Sequence, residues 1–162
     1  MLAPSLLWDA ERLKSGVLRG KAEWEWRLVE RSSSFMKHTE TVCIVDDDAA
    51  VRDSMRVLVE SYGHAVSDYP SAMTFLDDLR DSEPGCLLLD LHMPGMNGLE
   101  LVELLRRRHV RTPVIVVTAR NDPQQSQRLR DAGVLALLNK PVTDNELIGW
   151  IEQALARDRA AH

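Results

Sequence analysis

Residues 86–98 read CLLLDLHMPGMNG. Four residues that favour burial run directly into an aspartate, Asp90. A stiff, glycine-punctuated turn follows, Met-Pro-Gly and then Asn-Gly. A carboxylate at the end of an apolar strand is costly to desolvate unless positive charge meets it. Nothing within these thirteen residues supplies a permanent cation, so the partner must come from outside this stretch.

The segments on either side repeat one pattern. Upstream, TVCIVD (41–46) is a β-rich apolar run. AVRDSMRVLVESYG (50–63) then places Val51, Met55, Leu58, Val59 and Tyr62 at helical spacing, with Gly63 as the stop. HAVSDY (64–69) is a short strand, and PSAMTFLDDLRDS (70–82) opens on proline and reads as a helix. Downstream, GLELVELLRRRH (98–109) is a helix with Leu99, Val102 and Leu105 on one face, and PVIVVT (113–118) is a strand. DPQQSQRLRDAG (122–133) is a helix with Asp122 as cap and Pro123 at its first position. VLALLN (134–139) is a strand, and TDNELIGWIEQALAR (143–157) opens with Thr143 and Glu146 in capping-box spacing. Strand and helix thus alternate five times. The three central strands are apolar almost throughout, as in strands buried on both faces. The expectation is an α/β fold: a doubly wound, five-stranded parallel sheet flanked by five helices.

Composition narrows the function. The chain has 162 residues, 44% hydrophobic and 28% charged, and no apolar run of membrane-spanning length. Residues 39–162 hold thirteen Lys/Arg against twenty Asp/Glu, and this acidic balance argues against nucleic-acid binding. Cys43 and Cys86 each lie in a strand-like run with no C-x-x-C, so they read as buried small hydrophobes in a reducing cytoplasm. A serine-rich stretch, RSSSFMKHTE (31–40), marks a boundary. We therefore divide the chain into an N-terminal extension (1–38), a main domain (39–158) and a tail (159–162). The extension carries three of the four tryptophans and has no signal-peptide pattern. Met36 is an alternative start.

In open parallel sheets, sites form at the carboxyl ends of strands. Here those ends are Asp46-Asp47-Asp48, Asp90, Thr118 and Asn139-Lys140-Pro141. Lys140 is the single lysine among the thirteen cations of residues 39–162. A mobile ammonium suits contact with an anion that comes and goes. Asp46, Asp47 and Asp90 would repel one another if brought together, and Mg²⁺, a hard cation held by carboxylates, waters and phosphate oxygens, resolves that repulsion. Asp90 is then a candidate nucleophile toward phosphorus, with Lys140, the Thr118 hydroxyl and backbone N–H groups neutralising the transferred oxygens.

With these four segments in register, residues 40–157 resemble a response regulator receiver domain of two-component signalling. The resemblance rests on IVDDD, LLLDLHMPGMNGLEL, VVTAR and NKP, in order and at fitting intervals. It implies the CheY-like, flavodoxin-like strand order 2-1-3-4-5. It also implies Asp90 as phosphoacceptor, Asp47 as a direct Mg²⁺ ligand with Asp46 assisting, and the backbone carbonyl of His92 as a further ligand. Thr118 would contact the phosphoryl group and move on activation. Lys140 would pair with the phosphoryl group, next to a Lys-Pro bond that is typically cis in the family. The sequence departs from the family pattern at Leu137, where an aromatic switch is common, and at Val142, where phenylalanine is. His92 and Arg120 occupy positions that tune phosphoryl lifetime.

The function this implies is a phosphorylation-controlled binding module in the cytoplasm. A sensor histidine kinase or phosphotransfer protein would donate to Asp90, and an output protein, not identified by the sequence, would read the change. No external metabolite would be turned over. No helix-turn-helix follows the last helix, so a single-domain receiver without DNA-binding output is expected. A phosphorylation-promoted homodimer through the last helices is a further expectation. Two alternatives stand beside this reading: an aspartate-nucleophile phosphatase using Asp46-x-Asp48, and a scaffold that is never phosphorylated. Among other polar residues, Asp48 reads as a helix cap. The RRRH run (106–109) reads as a helix C-terminus with a solvated face, His64 and His109 as surface residues, and Trp150 as partly exposed.

Overall fold

The computed structural model describes residues 40–79, 83–120 and 122–161. The proposed N-terminal extension and the alternative start at Met36 lie outside the described residues. Five strands alternate with five helices: β1 (Val42–Val45), α1 (Ala49–Ser61), β2 (Val66–Tyr69), α2 (Ala72–Asp78), β3 (Cys86–Leu89), α3 (Gly98–Arg107), β4 (Val114–Thr118), α4 (Pro123–Asp131), β5 (Ala136–Asn139) and α5 (Asp144–Ala161). The strands form one parallel sheet in the order β2-β1-β3-β4-β5, as the sequence implies.

The side-chain alternation of the strands divides the core in two. Cys43, Val45, Leu87, Leu89, Val114 and Val116 face one side, where they pack with Phe75 of α2, Leu101 and Leu105 of α3 and Leu129 of α4. Val42, Ile44, Cys86, Leu88, Ile115 and Val117 face the other, with Val59 of α1 and Leu147, Ile148, Ile151 and Leu155 of α5. Every residue of β1, β3 and β4 is buried, which is why those strands are continuously apolar rather than alternating. Trp150 packs at the margin of the second cluster, partly exposed as expected. Both cysteines are buried, and burial pushes the Cys43 thiol up to about 11. Neither is a reactive thiolate near neutral pH.

Local signals explain most element boundaries. Asp48 caps α1, accepting from the N–H groups of Ala50 and Val51. Asn97 and Glu100 form a reciprocal capping box at α3, and Asp122 caps α4 ahead of Pro123. Gly63 and Gly133, with φ of 87° and 73°, take the left-handed conformation after α1 and α4. Thr143 accepts from the Glu146 N–H at the start of α5.

Several expectations are corrected. Pro70 is not the first residue of α2. It precedes the cap Ser71, whose hydroxyl accepts from the Thr74 N–H. The last helix does not stop at Arg157 but continues to Ala161, and Arg159 pairs with Glu40 at 3.3 Å. His64 is half-buried, not a surface residue. Its N–H bonds back to the Val59 carbonyl, and its Nε2 is enclosed without a hydrogen-bond partner among the described residues. Arg106 is not solvated either. Its guanidinium donates to the carbonyls of Val110 and Ala132 at 2.8 and 3.0 Å and reaches those of Thr112 and Gly133. It thereby ties the chain leaving α3 to the chain leaving α4.

The asparagine-glycine of the opening stretch has a steric reason. The Gly98 N–H donates to the Leu91 carbonyl at 3.0 Å, so the start of α3 lies directly on the loop that follows β3. A Cβ at residue 98 would sit 2.9 Å from the Leu91 Cα and closer still to the Asp90 carbonyl oxygen. Both are backbone atoms and cannot step aside. Gly98→Ala is therefore expected to lose about 2 kcal/mol of stability in urea unfolding, a typical overpacking cost. Arg106→Met removes the carbonyl clamp far from this loop and is expected to cost about 2 kcal/mol by the same measurement.

Candidate functional site

The parallel register places four of the strand ends side by side in two pairs. Val45 lies opposite Leu89, so the residues that follow them, Asp46 and Asp90, are neighbours; the Asp90 N–H donates to the Val45 carbonyl at 3.0 Å. Thr118 lies opposite Asn139, and the Lys140 N–H donates to the Thr118 carbonyl at 2.8 Å. The bond between Lys140 and Pro141 is cis.

Asp46, Asp47 and Asp90 each contribute a carboxylate oxygen to a cluster in which these atoms lie within 4.8 Å of one another. Asp46 is 2% exposed, Asp90 is half-buried and Asp47 is open to solvent. The Lys140 Nζ stands 3.4 Å from Asp46 Oδ2 and 3.9 Å from Asp90 Oδ1. Two of the three carboxylates therefore share one ammonium. The field is legible in Asp90, whose carboxyl is pushed above the usual aspartate range. Burial is the main cause and Asp46 the next; Lys140 opposes the shift, Asp47 adds to it, and His92 opposes it.

Such a cluster suits a divalent cation. The donors are all hard oxygens, and with all three carboxylates ionised the group of four side chains carries a net charge of −2. The two oxygens of Asp46 are already engaged, Oδ1 by the Asp48 N–H at 2.9 Å and Oδ2 by Lys140. Asp47 and Asp90 are the freer acids.

The other residues singled out in the sequence fall into place unevenly. Thr118 is fully buried, and its hydroxyl donates to the Arg120 carbonyl at 2.8 Å rather than to the acids. His92 is exposed on the loop after β3, near enough for its ring to bear on Asp90. Leu137 packs at the edge of the first core cluster. Asp48 accepts both α1 cap bonds through Oδ1, which ties down one oxygen of the second acid that an Asp46-x-Asp48 phosphatase reading would use.

One residue at the site was missed. Arg52 of α1 donates from Nη1 to the Asp46 backbone carbonyl at 2.8 Å, and its Nε lies 3.4 Å from Asp68 Oδ2. No sequence signal points to it, because its acceptor at the site is main chain. Among the described residues, no helix is long and apolar enough to cross a membrane.

Comparison with known proteins agrees with this geometry. The family model described as response regulator receiver domain matches residues 42–152. The transcriptional regulatory protein FixJ of Azorhizobium caulinodans is 37% identical over 122 residues, which is 75% of this chain and 58% of FixJ. The response regulator protein TodT of Pseudomonas putida is 36% identical over 114 residues, 70% of this chain and 50% of TodT. The chain thus spans little more than half the length of these relatives. Among solved structures, the response regulator StyR superposes with a TM-score of 0.70 at 38% identity, covering 75% of this chain and 61% of StyR. A CheY-like receiver domain protein from Methanospirillum hungatei superposes at 0.72 with 27% identity, covering 76% and 99%.

The raised Asp90 carboxyl has a consequence for stability. Between the ordinary aspartate value near 3.8 and its raised value, the folded protein holds a proton that the unfolded chain has released. This contribution is greatest below that window and is lost as pH rises through it. In metal-free buffer, Asp90→Asn should flatten that fall and leave the protein more stable than wild type at neutral pH, as read by urea unfolding across pH. A variant that loses stability at every pH would contradict the electrostatic account.

Proposed function

Because the chain belongs to the response regulator receiver family, we propose that Asp90 accepts a phosphoryl group from a phosphohistidine donor and that the aspartyl phosphate changes the affinity of the domain for a partner protein. The observation that carries this reading is the convergence of Asp46, Asp47, Asp90 and Lys140 at the ends of β1, β3 and β5. Asp90 supplies the nucleophile. One of its carboxylate oxygens bonds to phosphorus as the bond from phosphorus to the donor imidazole nitrogen breaks, and that nitrogen keeps the electron pair. Loss of the phosphoryl group is hydrolytic: water bonds to phosphorus, the bond to Asp90 breaks, and the carboxylate returns as inorganic phosphate leaves.

The acids Asp47 and Asp90, with Asp46 assisting and the His92 carbonyl as a further donor, would hold Mg²⁺. When bound, the ion supplies charge neutralisation for the carboxylates and for the transferred phosphoryl oxygens. Lys140 supplies a movable ammonium to the same oxygens. Thr118 supplies a hydroxyl once it exchanges the Arg120 carbonyl for the phosphoryl group. That exchange frees the turn between β4 and α4, and it is the step by which phosphorylation reaches the surface. With Leu137 in place of an aromatic switch, the signal relies on this turn rather than on a ring rotation. The donor is a sensor histidine kinase or a phosphotransfer protein, the setting is the cytoplasm, and no external metabolite is consumed.

Incubation with Mg²⁺ and acetyl phosphate, followed by intact mass measurement, should show one added phosphoryl group. Asp90→Asn should show none, and chelation of the metal should abolish the adduct in wild type. Lys140→Ala should slow uptake by about a hundredfold, the typical effect of removing one group that neutralises transition-state charge. Phosphate release without any adduct on Asp90 would favour the phosphatase alternative.

A further inference from the structure

Arg52 stands where the acid cluster meets the framework of the fold. Its side chain is 14% exposed, and its guanidinium bridges two elements. One arm donates to the carbonyl of Asp46, at the turn from β1 into α1. The other faces Asp68, which lies opposite Ile44 in the β1–β2 register and also pairs with Arg56. Asp68 anchors the guanidinium to the sheet, and the guanidinium in turn holds the peptide between Asp46 and Asp47.

That peptide is where the cluster is weakest. The other polar groups of Asp46 are already tied down. Its N–H donates to the Tyr69 carbonyl at 3.3 Å, Oδ1 accepts from the Asp48 N–H, and Oδ2 faces Lys140. Asp47 is exposed, and its direction from the backbone depends on the peptide plane before it. Repulsion from Asp46 and Asp90 pushes its carboxylate outward. Only a fixed peptide keeps the carboxylate aimed inward before a cation arrives.

We infer that Arg52 is a positioning residue for metal binding: clamped by Asp68, it fixes the Asp46–Asp47 peptide so that the three carboxylates converge. The inference rests on the receiver reading proposed above. It makes a prediction opposite in sign to simple electrostatics. Removing a cation beside a cation site should tighten Mg²⁺ binding if charge alone matters. Loss of positioning should weaken it.

The test is calorimetric titration of the full chain with MgCl₂, without a phosphoryl donor. Arg52→Ala is expected to raise the Mg²⁺ Kd about tenfold, the usual scale for residues that orient a metal ligand. Asp68→Asn, which leaves Arg52 in place but unanchored, should shift the Kd in the same direction by a smaller factor. In metal-free protein, amide exchange at Asp48, whose N–H bonds to Asp46, should accelerate in Arg52→Ala. Where Arg52→Ala does not fold, Arg52→Lys carries the test; a lysine cannot bridge both partners as the planar fork does, so a rise of about threefold is expected. An unchanged or lower Kd in the folded variants, with wild type binding Mg²⁺ and taking up phosphoryl on Asp90, overturns the inference alone. Wild-type protein that binds no Mg²⁺ and forms no adduct overturns the receiver reading, and the inference with it.

Discussion

Three carboxylates with an oxygen of each within 4.8 Å of the others, and one ammonium beside two of them, are the constraint around which this site is arranged. Left to themselves these groups would separate, and the carboxyl of Asp90 is held above its ordinary range by burial first and by the neighbouring Asp46 second. The same imbalance is what gives the site its chemistry. A cluster that is short of positive charge favours a divalent cation and a lysine that can follow an arriving anion. A neutralised cluster would have no reason to respond to one.

The framework resists the repulsion through main chain rather than side chain. The parallel register of β1 and β3 sets Asp46 beside Asp90 before any side-chain contact is made. The start of α3 then presses on the loop behind Asp90, which is possible because Gly98 has no Cβ. Asn97 and Glu100 close that helix with a reciprocal cap, worth about 1 kcal/mol, and so hold the loop in place. The apolar layers on both faces of the sheet provide the rigidity that lets a few backbone hydrogen bonds aim four charged side chains.

Arginine serves this chain as a tool for binding carbonyls. Arg106 gathers the chain leaving α3 and the chain leaving α4, and Arg52 holds the turn leaving β1. In both cases the planar guanidinium reaches more than one acceptor at once, which an ammonium does less well. Lys140 fills the one position where a compact, mobile charge is the better choice.

The sequence by itself determined the five strand–helix pairs, because buried parallel strands are continuously apolar and the helices carry their own caps and glycine stops. It also determined the residues of the cluster, because strand ends in a parallel sheet converge and the polar residues at those ends are few. What the tertiary structure alone decided concerns partners that have no letter in a sequence. Arg52 and Arg106 bind backbone carbonyls, so nothing in the spelling of RDS or RRRH separates them from solvated neighbours. The Thr118 hydroxyl turns to the Arg120 carbonyl for the same reason. His64 is enclosed because Gly63 folds it back beneath the end of α1, and Pro70 yields the start of α2 to Ser71 because a hydroxyl can satisfy the Thr74 N–H. Periodicity and composition are written along the chain, whereas a main-chain acceptor becomes distinctive only once folding has brought a side chain to it.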